Sequence, residues 1–301
     1  MMRYAIIAGW LLVATLFIAL RFDNTERVYF LGDDNLVLYL VDDIVKTGNW
    51  QPDWYRASNG QHQSEYFQQE GQRTDLPHQH HYNFASQILL GAGVVNAARA
   101  MGNETASITL LHHLAFFLDA LSLLCVIGCA KRIHHIMQAS SITKTSSTLL
   151  ALCAAFTYTV FPLAVQGSHY ARPDALLTCT GSALLWLCLN VTYCKQWQWL
   201  LATAATLALA ITAKSSQIMM GIYPAIALLY AGLTQYSCRQ WQLWLKLLAQ
   251  GSVLIAFILA MIATVFMSAN ISFSDFIIST QAVMQYYAAP APPEILEHYT
   301  Y

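Results

Sequence analysis

Charge is what this chain has least of. Only 10% of its 301 residues are Asp, Glu, Lys or Arg, while 56% are hydrophobic; soluble domains carry about 25% charged residues. That excludes an ordinary water-soluble domain. No small-residue cleavage site follows the first apolar run, Tyr4 to Leu20, so the run reads as a retained signal anchor and not a removable signal peptide. Cysteine is missing from the whole segment 21–105, so no disulfide framework holds it. The seven cysteines (Cys125, Cys129, Cys153, Cys179, Cys188, Cys194 and Cys238) lie in apolar runs or on the opposite side. Cys125 and Cys129 stand in a C-x3-C spacing inside an apolar run, where buried thiols are a better reading than a metal site. There is no internal repeat and no low-complexity tract.

Acidic residues are also missing, from one side of the chain. Apolar runs long enough to cross a bilayer, roughly 20 residues each, place spans at 4–20, 106–130, 146–165, 174–193, 198–213, 217–235 and 246–268. The short segments on the N-terminal side then hold Arg3, Lys131, Arg132, Lys144, Lys195, Arg239 and Lys246, and no acid at all. Segment 21–105 holds eleven of the sixteen acids and six basic residues. The positive-inside rule therefore puts the N-terminus in the cytoplasm and the 21–105 loop outside. Outside that loop, two basic residues break the rule: Arg172 and Lys214. The expected organisation is all-α and polytopic. Residues 1–20 are the first anchor, 21–105 an extracytoplasmic loop, 106–268 a six-helix transmembrane region, and 269–301 an extracytoplasmic C-terminal segment.

The loop opens with "VYFLGDDNLVLYLVDDIVKTGNW". Within it, Asp34 to Thr47 reads as an amphipathic helix, with Leu36, Val37, Leu40, Val41, Ile44 and Val45 on one apolar face. Asp42 can pair with Lys46 four residues on, and Gly48 suits a helix stop. A second weakly apolar helix, Phe84 to Met101, carries Asn96 and Arg99 and makes a poor span. Both helices are expected to lie in the membrane interface.

Five groups of residues can carry chemistry. Asp33 and Asp34 begin the first loop helix, where capping explains one aspartate and leaves the other free; on residue type, capping is the plainer reading. In "GSHYARPDALLTC", Arg172 and Asp174 are either a weak surface pair or a guanidinium set to grip phosphate oxygens beside an acid. Pro173 fits the first turn of the following span. In "ITAKSSQ", Lys214 either snorkels to the headgroups or joins Arg172 in a cationic site at the outer surface. The "HQHHYNF" cluster has His78, His80 and His81 close enough to ligate a metal, but in no familiar zinc spacing. Asp119, inside the second span, is a functional candidate by default or a carboxyl bonded to a neighbouring helix.

Together these segments resemble membrane glycosyltransferases of the GT-C fold, closest to the protein O-mannosyltransferases and the lipid A aminoarabinose transferases. The residues that carry the resemblance are the acidic pair and helix of "GDDNLVLYLVDDIVKTGNW", then "LPHQHHYNFASQILL", "YARPDALL" and "TAKSSQ", in that order along nearly the whole chain. The pair here is Asp-Asp where the family has Asp-Glu, and Pro77 with histidines replaces its Lys-Pro-Pro-Leu run. The resemblance implies inverting transfer of a sugar from a polyprenyl-phosphate carrier to a lipid, glycan or protein hydroxyl, outside a bacterial-type inner membrane. It makes Asp33 or Asp34 the general base, with Asp33 favoured because Asp34 is better placed to cap. It gives Arg172 and Lys214 the lipid phosphate, and leaves Glu65, His78, His80 and Asp174 to contact acceptor or donor, with Glu70 and Asp75 behind them. No cofactor follows from the residues, a divalent metal being the one candidate; no nucleic-acid partner is expected. Family chains are commonly longer, which implies a fragment or a shortened variant. The competing readings are a non-catalytic accessory protein, a transporter, or an inactive fragment of the transferase.

Overall fold

The computed structural model describes residues 2–22, 32–50, 84–139, 146–171, 173–192, 196–235, 241–269, 271–274 and 277. Among them every regular element is helical. The α-helices are α1 (Met2–Arg21), α2 (Gly32–Thr47), α3 (Ala85–Ala100), α4 (Ser107–Ala139), α5 (Ser147–Val160) and α6 (Pro162–Ser168), followed by α7 (Asp174–Leu189), α8 (Gln196–Ala213), α9 (Ile222–Gln235) and α10 (Trp241–Ser268). A 3-10 stretch, Ser215–Gly221, leads into α9. The chain is an all-α polytopic membrane protein.

Helices occupy all seven stretches read as spans, but not uniformly. Four are long and apolar enough to cross a bilayer: 4–21, 107–138, 215–234 and 244–268. The expected single span 146–165 is broken instead. Its halves α5 and α6 meet at a 61° bend. The cause is Pro162, which starts α6 and drives Phe161 out of the helical region, to φ −68° and ψ 117°. α7 and α8 are apolar but shorter. The helices stand side by side in the order α1, α5, α4, α7, α8, α10, with α9 against α7 and α10. Large apolar side chains left outward, such as Leu11 and Ile18 on α1, Ile222 and Ile226 on α9, and Leu248 and Ile255 on α10, form the lipid-facing surface expected of such a bundle.

Local chemistry ends α2 and α3 where the sequence suggests. Gly48 takes a left-handed φ of 67° and returns its N–H to the Ile44 carbonyl at 2.9 Å, and Lys46 lies 3.7 Å from Asp42. α3 stops in a Schellman turn: Gly102 at φ 76° donates to the Arg99 carbonyl, and Asn103 donates to the Ala98 carbonyl at 2.9 Å. The partners of these helices differ from expectation. Val37, Leu40, Val41 and Ile44 of α2 are fully buried in one cluster with Ile88, Ala92 and Val95 of α3 and Leu111 of α4. The stripe expected to rest in the membrane interface is covered by protein.

Gly91 makes that packing close. A Cβ there would sit 2.7 Å from Leu111 Cδ2 and 3.1 Å from Val41 Cγ2, whereas one on Gly93 would meet nothing within 4 Å. Gly91→Val is expected to destabilise the protein by about 1–3 kcal/mol through overpacking. Gly93→Ala, two residues away, should gain up to about 1 kcal/mol of helix preference. Unfolding of both variants in mixed detergent micelles checks the contrast.

Candidate active site

The acid pair lies in the first turn of α2. That helix begins at Gly32, two residues earlier than expected, so Asp34 is not its cap and Asp33 and Asp34 are its second and third residues. Both positions complement the positive end of the helix dipole, and the reason for favouring Asp33 over Asp34 falls away. The side chains of both, and Glu65, Glu70, Asp75, His78, His80, His81 and Arg172, lie outside the described residues. Asp174 opens α7 and is half-buried. Lys214 is exposed, with an extended backbone between α8 and the 3-10 turn. It makes no ion pair among the described residues.

The structure brings together the chain positions beside Arg172 and Lys214. Ala171 and Ala213, which immediately precede them, are both fully buried. Each is bonded to the first turn of α3. Phe84, held at a left-handed φ of 77°, donates its N–H to the Ala213 carbonyl at 3.0 Å. Gln87 Nε2 donates to the Ala171 carbonyl at 3.0 Å, and Ser86 Oγ donates to the Leu209 carbonyl at 3.0 Å. The segment after the histidine cluster, the "YARPD" segment and the "TAKSS" segment thus meet at one turn. On the other side of "YARPD", His169 Nε2 donates to the Leu20 carbonyl at the end of α1, at 2.8 Å.

Asp119 belongs to a different cluster. Its carboxylate pairs with the Arg21 guanidinium and accepts a hydrogen bond from the Tyr158 hydroxyl. Arg21 also donates to the Thr159 carbonyl at 2.8 Å and lies 4.2 Å from the centre of the Phe17 ring. This settles Asp119 as a carboxyl bonded to neighbouring helices, joining α1, α4 and α5. Sequence reading missed Arg21, which counts there as one more basic residue of the outer loop. It also missed Ser86 and Gln87, two polar residues at the head of a weakly apolar helix, both of which turn out to be buried. Among the described residues no group of three or more His, Cys, Asp or Glu could hold a metal.

Residues 114–267 match the family model of dolichyl-phosphate-mannose-protein mannosyltransferases. The chain belongs to that family. It is therefore a membrane glycosyltransferase of the class that draws on polyprenyl-phosphate sugars. The matched part of this mannosyltransferase-family chain contains Arg172, Asp174 and Lys214, while the acid pair, the loop and α3 precede it. Neither the curated proteins nor the solved structures give a match.

Proposed function

We propose that this protein transfers a sugar from a polyprenyl-phosphate carrier to an acceptor hydroxyl on the extracytoplasmic face of the membrane, with inversion at the anomeric carbon. One of the two aspartates, Asp33 or Asp34, takes the proton of the acceptor hydroxyl. The freed oxygen attacks the anomeric carbon while the bond from that carbon to the phosphate oxygen breaks, and polyprenyl phosphate leaves. Arg172 and Lys214 stabilise the charge that develops on the departing phosphate. Asp174, Glu65, His78 and His80 are assigned to donor or acceptor contact. The observation that carries this reading is the shared attachment of Ala171 and Ala213 to the first turn of α3. Two cations on segments 42 residues apart in sequence form one phosphate site if their backbones are held by a common element.

Release of polyprenyl phosphate from labelled polyprenyl-phosphate sugars by the purified protein tests the reaction. One aspartate is assigned the proton, so the two substitutions are expected to differ in effect. Asn substitution of the base is expected to cost about 10²–10⁴ in kcat. The same change at its neighbour should cost no more than a few-fold. Equal losses at both, or none at either, sink the assignment of the base.

A further inference from the structure

We propose that Gln87 is a positioning residue for the phosphate site, holding the backbone that carries Arg172 in register with the backbone that carries Lys214. The inference rests on the donor-phosphate reading above and adds a residue that the family match, limited to 114–267, does not reach.

Gln87 sits in the first turn of α3 and is 1% exposed. Its amide is oriented by chemistry. The carbonyl of Ala171 can only accept, so the group facing it at 3.0 Å is the NH2 and not the oxygen. That leaves Oε1 buried without a hydrogen-bond partner among the described residues. A buried acceptor with no donor is destabilising, and an unbranched apolar side chain of the same length, such as methionine, would fill the space without that penalty. Packing alone therefore does not account for a glutamine here; the bond to Ala171 does.

What the bond accomplishes follows from its neighbours in the same turn. Phe84 N–H holds the carbonyl of Ala213, and Ser86 Oγ holds that of Leu209 one turn earlier on α8. The first turn of α3 is thereby fixed to the end of α8, just before Lys214. Gln87 extends the same turn to Ala171, just before Arg172. No other hydrogen bond among the described residues joins Ala171 to α3. The turn acts as a bracket with two arms, and Gln87 is the arm on the Arg172 side. Removing it leaves both cations in the chain but frees one backbone relative to the other. Preorganised charge loses its effect when displaced: a shift of about 1 Å can cost about 10²-fold in rate.

The test is a double-mutant cycle on the purified full chain in lipid nanodiscs, following polyprenyl phosphate release from labelled donor. Gln87→Met is expected to lower kcat by about 10- to 100-fold, with the donor KM changed no more than a few-fold and the melting temperature unchanged or raised. In an Arg172→Ala background the same substitution should cost nothing further, because the group it positions is gone. Should Gln87→Met not fold, Gln87→Asn supplies the same comparison, since one methylene less breaks the bond to Ala171 while keeping the amide. Losses that multiply in the double variant, or wild-type turnover in Gln87→Met, overturn the positioning role. If Arg172→Ala itself turns over like the wild type, the phosphate reading fails and the inference falls with it. If Arg172→Ala is crippled and Gln87→Met is not, the inference alone fails.

Discussion

Asp119→Leu, in a chain that keeps Arg21, is expected to lower the unfolding free energy by about 3–5 kcal/mol. The side chains of Arg21 and Asp119 are 0% and 2% exposed, so removing the carboxylate leaves a guanidinium buried without its counter-charge, facing the carbonyls of Thr159 and Tyr158 and the Phe17 ring. Removing both charges together, Arg21→Met with Asp119→Leu, should recover most of the loss, because a buried ion pair adds little beyond what apolar packing supplies. Unfolding in mixed detergent micelles measures both variants against the wild type. A single variant as stable as the wild type would mean that the cluster does not clamp α1. The clamp matters because α1 is otherwise held mainly by α5, through contacts such as Leu152 against Gly9. Phe22, just past Arg21, stacks on His113 of α4 at 5.5 Å.

Arg172→Ala should have the largest catalytic effect outside the acid pair, a loss of about 10²–10³ in kcat, with melting temperature preserved. Arg172→Lys should recover only part of it, since a point charge cannot reproduce the forked contact of a guanidinium with two phosphate oxygens. Lys214→Ala is expected to cost less, because Lys214 is exposed and its charge is screened by water and salt. Single-turnover assays with labelled donor separate the three. An Arg172→Ala protein that loses donor affinity but keeps its chemical step would make Arg172 a ground-state binder and not a stabiliser of the departing charge.

What could be read from the sequence was local. The bounds of α3, the stop at Gly48 and the Asp42–Lys46 pair follow from signals within a few residues of each other, and the structure has them all. The bend at Phe161 had its signal too, in Pro162, but a run of apolar residues on either side hides a break when length alone is counted. The partners of α2 were not legible. An apolar stripe on a helix has the same period whether lipid or protein covers it, and only the packing against α3 and α4 decides. Arg21 and Gln87 were hidden for another reason. A polar residue beside an apolar run is ordinary at a membrane surface, and its burial depends on carbonyls and carboxylates that lie 84 or more residues away in the chain. The proposed site was read as residue types in order; that Ala171 and Ala213, the neighbours of its two cations, are both bonded at the head of α3 was not legible.

The shortness of α7 has a consequence for the lipid around it. Its 16 residues rise about 24 Å at 1.5 Å per residue, several ångströms less than a hydrocarbon core of about 30 Å. Where lipid meets this helix, thinning of the bilayer to match it would cost fractions of a kcal/mol per ångström of mismatch. The helix begins beside Arg172, so a depression on that side would draw the headgroup plane inward there. A carrier diffusing in the leaflet would then descend toward the protein, its phosphate arriving at the depth where α7 starts. Membrane thickness would then be a variable of the reaction, felt by the enzyme through one short helix.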